Sequence, residues 1–87
     1  MPTFMVERSL PGIPMDALAA AQKRAIDTAA KMSRDGEPVR YLHSAFVPGD
    51  GRCMCFFEAP DAAQVERLNR TAEIPFDRVV AALDLRP

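Results

Sequence analysis

The chain has 87 residues, 48% of them hydrophobic and 26% charged, with a formal net charge of −1, which is typical of one globular domain. Its 11 Lys and Arg residues are scattered, so the basic stripe that a nucleic-acid surface needs is missing and we expect no nucleic-acid partner. No apolar run approaches the roughly 20 residues that span a bilayer, so we expect no membrane partner. A domain this small buries only about 60–65% of its unfolded surface and gains stability from self-association.

The N-terminus and the two cysteines favour a cytoplasmic location. Residues 1–10, MPTFMVERSL, have no basic flank before an apolar run, and no signal-peptide cleavage site follows them. Cys53 and Cys55 lie two residues apart on one predicted strand, where Cα atoms are about 6.5–7 Å apart, at or beyond the range that a disulfide bridges. We therefore expect free thiols, as in a reducing compartment, that act as small hydrophobic residues of the core.

A strand and a long amphipathic helix are predicted for the first third of the chain. The segment Thr3–Leu10 alternates weakly between apolar and polar residues and is followed by a Pro-Gly pair. A helix is predicted to begin near Pro14, which suits a first helical position. Its apolar stripe recurs at spacings of three and four residues and consists of Leu18, Ala21, Ala25, Ala29 and Met32. Gly36 and Pro38 prevent the helix from continuing.

Gln22 is a polar residue inside this apolar stripe. At about 100° per residue it falls between Leu18 and Ala29. It is either a partly exposed residue at the edge of the stripe or a polar group aimed at a cleft or a partner. The sequence leaves both interpretations open.

Two strands joined by a tight turn are predicted next. Val39–Val47 and Arg52–Glu58 are rich in β-formers. The intervening PGDG segment permits positive φ, which favours an antiparallel hairpin. In the second of these strands the two cysteines share a face with Phe57, so that face is predicted to pack against helices.

A second helix and a final strand complete the predicted order. Asp61 is a candidate N-cap, with Gln64 three residues further on as in a capping box. An apolar stripe follows the cap, and Pro75 ends the helix. The spacing of apolar residues in Phe76–Leu85 would also suit a helix. We predict a strand there because the first strand otherwise lacks a second neighbour in the sheet.

The order strand, helix, strand, strand, helix, strand is that of the split βαβ, ferredoxin-like α+β fold. It predicts a four-stranded antiparallel sheet with both helices on one face of a single domain, residues 1–87. We call the other sheet face the open face. Alternation assigns to it Met5, Glu7, Tyr41, His43, Met54, Phe56 and Glu58. An exposed patch with this many large apolar side chains is unfavourable for a monomer in water. We therefore expect a homodimer or a higher homo-oligomer packed through sheet faces or edges.

Four stretches of the sequence together resemble a known family: FMVERSLPG, the Ala-rich helix, VRYLHSAFVPGDGRCMCFFEAPDAAQV and FDRVV. They are similar to small bacterial ferredoxin-like proteins of unknown function, whose best-known branch looks like a nickel-binding protein. The similarity covers nearly the whole chain and has its signature around RYL and CFFEAP. It implies a ferredoxin-like βαββαβ fold that associates as dimers or higher oligomers.

The same resemblance implies histidines that this chain lacks. The nickel-binding branch typically places a His after an Ala in the first helix and further His in the second. The corresponding positions here are Gln22 and Asn69–Glu73, none of which is His. His43 is the one histidine of the chain. Nickel binding is therefore the less favoured alternative, and no metal ligand or cofactor is assigned.

Strand alternation, helix phase and the family pattern together suggest a site for a small molecule. The predicted ligand-binding residues are Glu7, Tyr41, His43 and Met54 on the open face, with Gln22 as an outside candidate. The favoured function is a homo-oligomeric small-ligand-binding or interaction module.

The alternative is a small cofactor-free isomerase or oxygenase-like enzyme built on the same dimeric sheet. His43 would act as general acid or base, oriented by Glu7. That hypothesis requires the two side chains to converge within hydrogen-bond reach inside a closed pocket. No nucleophile, phosphate-loop or cofactor motif supports it, and we assign no catalytic residue.

Overall fold

Six regular elements follow one another along the chain, and the computed structural model describes all of residues 1–87. They are strand β1 (Thr3–Ser9), helix α1 (Met15–Arg34), strands β2 (Arg40–Val47) and β3 (Arg52–Glu58), helix α2 (Ala62–Thr71) and strand β4 (Arg78–Ala82). The strands form one antiparallel sheet in the order β2-β3-β1-β4. The predicted ferredoxin-like α+β fold is confirmed. No helix combines the length and the apolar character that crossing a membrane requires.

Alternation along β1 and β3 determines which side chains enter the core. Phe4 and Val6 of β1 and Cys53, Cys55 and Phe57 of β3 are buried among residues of the helices. Because successive residues of a strand point to opposite faces, the residues between them lie on the open face, where they are only partly buried. The prediction that both thiols face the helices is confirmed.

Helix α1 packs on the sheet mostly through small side chains. Its buried residues are Ala21, Ala25, Ala29 and Met32, which fall on the predicted stripe. Three of these four residues are alanines. Their small side chains allow the helix to approach the sheet closely, but they fill little of the space between helix and sheet.

Helix α2 begins at the predicted cap. The carboxylate of Asp61 accepts a hydrogen bond from the backbone N–H of Gln64 at 2.9 Å, which satisfies one of the unpaired donors of the first turn. Val65, Leu68 and Asn69 are fully buried on the inner side of this helix.

The register between β2 and β3 changes at one residue. Tyr41 lies opposite Phe57, and two residues later His43 lies opposite Phe56. Leu42 is therefore the extra residue of a β-bulge. Because Phe57 faces the helices, Tyr41 does too, and the two rings meet edge-on with centroids 5.5 Å apart. The predicted placement of Tyr41 on the open face is wrong, since simple alternation fails across an inserted residue.

The turn between β2 and β3 packs tightly against the loop between β1 and α1. Gly51 has a φ of +76°, and a Cβ atom there would lie 2.5 Å from the Cα of Pro11. The N–H of Leu10 donates a hydrogen bond to the carbonyl of Gly51 at 2.7 Å. Only glycine fits a position that needs both a positive φ and this close backbone approach.

The C-terminal segment forms the predicted strand, although it is shorter than Phe76–Leu85. Strand β4 pairs with β1 over Arg78–Ala82. Beyond it the chain reaches across the open face, because Oδ1 of Asp84 lies 3.8 Å from Nε2 of His43 on the far edge strand. Leu83 and Leu85 point away from the protein and are 84% and 86% exposed.

Candidate functional site

His43 lies on the open face, as predicted, and packs against an aromatic ring. Its imidazole stacks on Phe56 with ring centroids 4.8 Å apart and an interplanar angle of 22°. The side chain is 47% exposed, and its nearest carboxylate is that of Asp84 at 3.8 Å. An imidazole this open to solvent has no close hydrogen-bond partner that would orient it as a general acid or base.

Glu7 also lies on the open face, but arginines bind its carboxylate. Arg78 donates to it from Nε at 2.6 Å and from Nη2 at 3.2 Å, and Nη2 of Arg52 lies 3.7 Å away. The hydrogen bond from Arg78, aided by the charges of both arginines, lowers the pKa of Glu7 below its ordinary value of 4.5. Glu7 is therefore ionised at neutral pH and is a weak proton acceptor.

The open-face candidates do not come together in one cluster. His43 is on β2 and Glu7 is on β1, with β3 between them, so their backbones are about 10 Å apart across the sheet. Met54 lies opposite Glu7 on the intervening strand. The convergence of His43 and Glu7 that the enzyme hypothesis requires is absent from this arrangement.

Tyr41 and Gln22 meet on the helix side of the sheet. Gln22 donates from Nε2 to the Oη of Tyr41 at 2.9 Å. The hydroxyls of Tyr41 and Ser44 are 2.7 Å apart, and Ser44 donates to the Sγ of Cys55 at 2.9 Å. Because the Ser44 proton is directed to sulfur, Tyr41 donates to Ser44. We call these four hydrogen-bonded side chains the polar network.

The polar network lines a cleft between α1 and the sheet. The cleft has a volume of about 170 Å³, and 9 of its 12 lining residues are hydrophobic. The lining residues are Arg8, Leu10, Leu18, Ala21, Gln22, Ala25, Tyr41, Ser44, Phe46, Cys53, Cys55 and Ile74. The cleft exists because the alanines of α1 and the cysteines of β3 are too small to fill the space between them. Gln22 is thus exposed to solvent and also borders a cleft.

The two thiols that line the cleft lie close to each other. Their Sγ atoms are 3.8 Å apart. Burial raises the pKa of Cys53 to about 11, and the neighbouring Cys55 contributes to the shift. Thiols react as thiolates, so Cys53 is inert at neutral pH, consistent with its predicted role in the core.

Arg8 and Asn69 form a buried polar pair that the sequence patterns above do not identify. Arg8 is 2% exposed and Asn69 is fully buried. Nη2 of Arg8 donates to Oδ1 of Asn69 at 2.8 Å, and Nη1 donates to the carbonyl of Pro75 at 3.1 Å. Asn69 itself donates to the carbonyl of Val65 at 2.9 Å. A signal for Arg8 was present, because it follows Val6 by two residues and so must share its buried face.

The side chains of one copy do not form a metal site. No group of three or more His, Cys, Asp or Glu residues lies close enough to hold an ion, whereas a tight transition-metal site needs three or four ligands. His43 has one distant carboxylate beside it, and the two thiols have only each other.

The chain is similar to a known protein family and to a solved structure. The model of the family described as nickel responsive protein SCO4226-like matches residues 4–81. Among solved structures, the chain is similar to SCO4226 from Streptomyces coelicolor A3(2), with a TM-score of 0.76 and 26% identity over 98% of this chain and 99% of that one. A comparison with curated proteins gave no match. The structural similarity extends over essentially the whole of both chains.

Proposed function

Because the chain belongs to the family described as nickel responsive protein SCO4226-like, we propose a binding role for it: a small homo-oligomeric module that holds a small molecule. The ligand occupies the cleft between α1 and the sheet. The observation that carries this proposal is the polar network along one wall of an otherwise apolar cleft. The separate positions of His43 and Glu7 speak against the enzyme hypothesis. The free thiols fit the cytoplasmic location that we propose.

The cleft has the general features of a small-molecule site. Such sites have apolar walls that bury the body of the ligand and a few polar groups that orient it. Here Leu18, Ala25 and Phe46 supply apolar surface, while Gln22 and Tyr41 supply polar atoms near solvent. The volume is close to that of an engineered cavity of about 150 Å³ in another protein that binds benzene. We therefore expect a ligand body of benzene size.

Nickel does not enter this proposal. The family name refers to a nickel response, but the residues of one copy do not fit a nickel site. Gln22 and the segment Asn69–Glu73 occupy the places where the resemblance implies histidines. Nickel chloride is therefore a useful comparison titrant, and we expect it to bind more weakly than a cleft ligand.

Self-association is part of the proposal, with the open face as the contact. Met5, Met54 and Phe56 place apolar surface on that face, which neither helix covers. Leu83 and Leu85 add two highly exposed apolar side chains beyond β4. Burying this surface against a second copy would supply the apolar contact area that a domain of this size lacks.

Binding in the cleft can be tested by titrating the ¹⁵N-labelled protein with benzyl alcohol, a neutral probe of suitable size. We expect chemical-shift changes at Leu18, Gln22 and Tyr41. Ala21→Leu should abolish them by filling the cleft, whereas Ala20→Leu, an exposed position on the same helix, should not. Changes confined to His43 and its neighbours, or no saturable change, would overturn the cleft assignment.

Self-association can be tested by native mass spectrometry of freshly purified protein, which also detects retained metal or small molecules. We expect a dimer or a higher oligomer. Phe56→Glu should shift the mass to the monomer because it places a charge in the contact. Ile26→Glu, at an exposed position on α1, is the matched control and should leave the assembly intact. A monomeric wild-type protein at tens of micromolar would refute this part.

A further inference from the structure

The guanidinium of Arg8 is a buried charge without a counter-charge. Its side chain is 2% exposed, and both of its hydrogen-bond acceptors, Asn69 and the carbonyl of Pro75, are neutral. None of the ion pairs in the protein includes it. Its Nε is the one buried side-chain nitrogen or oxygen that has no hydrogen-bond partner.

Such a group is costly to keep in a small domain. A guanidinium remains charged at any physiological pH, so burial cannot be relieved by losing a proton. Arg8 lies near the C-terminal end of α2, where the helix dipole offers only a partial negative charge. An unpaired charge and an unsatisfied N–H therefore both remain.

Arg8 also borders the cleft, and it is the only charged residue that does. The lining contains no Asp and no Glu. The nearest polar neighbours on β3 are thiols, and Cys53 is held neutral at physiological pH because burial raises its pKa to about 11. The cleft thus combines apolar walls with a single uncompensated positive charge, an arrangement that attracts an anion.

We propose that the cleft binds a small monocarboxylate with an apolar body, whose carboxylate lies beside the guanidinium of Arg8 and neutralises its charge. This inference rests on the proposed function, since it names the ligand class of the same cleft. One negative charge matches the one guanidinium, which disfavours a doubly charged phosphate. A hydrogen bond between a guanidinium N–H and a carboxylate is short and roughly twice as strong as one between neutral groups. The cleft volume limits the body to about the size of a benzene ring.

Three probes that share a benzene ring and differ in charge separate the possibilities: benzoate, benzyl alcohol and benzylamine, each titrated at constant ionic strength. We expect benzoate to bind at least tenfold more tightly than benzyl alcohol and benzylamine to bind least. The Nε–H resonance of Arg8 should move on addition of benzoate and stay in place with benzyl alcohol. A merely structural role for Arg8, clamping α2 to β1, predicts no such difference.

Variants at Arg8 provide the second part of the test. Arg8→Lys keeps the charge and should retain a preference for benzoate. The double variant Arg8→Met/Asn69→Leu replaces both buried partners by apolar side chains, and we expect it to lose the preference while still binding benzyl alcohol. If the double variant does not fold, the Nε–H resonance of the wild-type protein still decides the question.

The outcomes distinguish the two proposals. If benzyl alcohol binds in the cleft and benzoate binds no more tightly, the anion inference is wrong and the cleft function stands. If no probe perturbs the cleft residues, both fail. If benzoate binds on the open face and leaves the Arg8 resonance unchanged, the anion inference is again wrong.

Discussion

Replacing Asn69 with leucine should destabilise the protein strongly, because it leaves Arg8 buried with one fewer acceptor. The side chains are similar in size, so the change is mainly one of hydrogen bonding. Losing a charge-assisted hydrogen bond costs about 1.5–3 kcal/mol, and a buried charged donor left unpaired costs more than the roughly 1–3 kcal/mol of a neutral one. The carbonyl of Val65, which loses the hydrogen bond from the Asn69 side chain, keeps its backbone hydrogen bond within α2 and is not left unpaired. We therefore expect a loss of about 3–4 kcal/mol.

That loss is large for this domain. At roughly 0.05–0.15 kcal/mol per residue, total stability is of the order of 4–13 kcal/mol, and the midpoint of thermal unfolding should fall by roughly 15–25 °C. Urea unfolding followed by circular dichroism measures the free energy directly. Comparing Asn69→Leu, Arg8→Met and the double variant gives the coupling between the two side chains.

The double variant is the internal control. Because it removes the buried charge together with its acceptor, we expect it to be more stable than Asn69→Leu by about 2 kcal/mol or more. If Asn69→Leu cost less than about 1 kcal/mol, or if the two substitutions were additive, Arg8 would not be a trapped charge and the reasoning about the pair would be refuted.

Three further changes have clear expected outcomes. Gly51→Ala should destabilise the protein by about 2–4 kcal/mol because of the positive φ and a backbone clash. Gly49→Ala, where a Cβ meets nothing within 4 Å, should leave stability nearly unchanged. Equal midpoints of urea unfolding for the two variants would contradict this. The lowered pKa of Glu7 means that its bonds with Arg78 stabilise the fold above about pH 4.5 and are lost as the pH falls through the lower folded value. The free energy of unfolding should therefore fall less steeply with acid in Glu7→Gln than in the wild type. Parallel curves of this free energy against pH would contradict the expectation. Since the pKa of Cys53 is raised from 9.0 to about 11, iodoacetamide at pH 8 should modify it at least about 100-fold more slowly than in urea; a native rate within tenfold of the unfolded one would show that the thiol is accessible.

Much of the fold was predictable because the controlling patterns are local. Strand alternation placed Phe57 in the core and Met5 and Met54 on the open face. The spacing of Asp61 and Gln64 located the start of α2, since a capping hydrogen bond involves only residues three apart. The strand at Arg78–Ala82 followed from the need of β1 for a second neighbour.

The candidate site was less predictable because it depends on contacts between distant residues. The bulge at Leu42 is a property of the pairing between two strands, and nothing in the local sequence marks it, so Tyr41 was assigned to the wrong face. The pair of Arg8 and Asn69 joins residues 61 positions apart. The cleft results from the combined volumes of side chains on several elements, which a single strand or helix pattern does not reveal. Gln22, selected for its odd place in an apolar stripe, is the member of the cleft that helix phase did indicate.

The small side chains of α1 have a consequence for how this fold could diversify. Ala21 and Ala25 face Cys53 and Cys55 across space that larger residues would occupy, and packing deficits of this kind reduce stability. Exchanging any one of these four for a longer apolar residue would reshape the vacancy without disturbing strand pairing or helix caps. The shape of the interior space is thus adjustable one substitution at a time. A single substitution is enough to close the cleft to a ligand and gain stability through tighter packing.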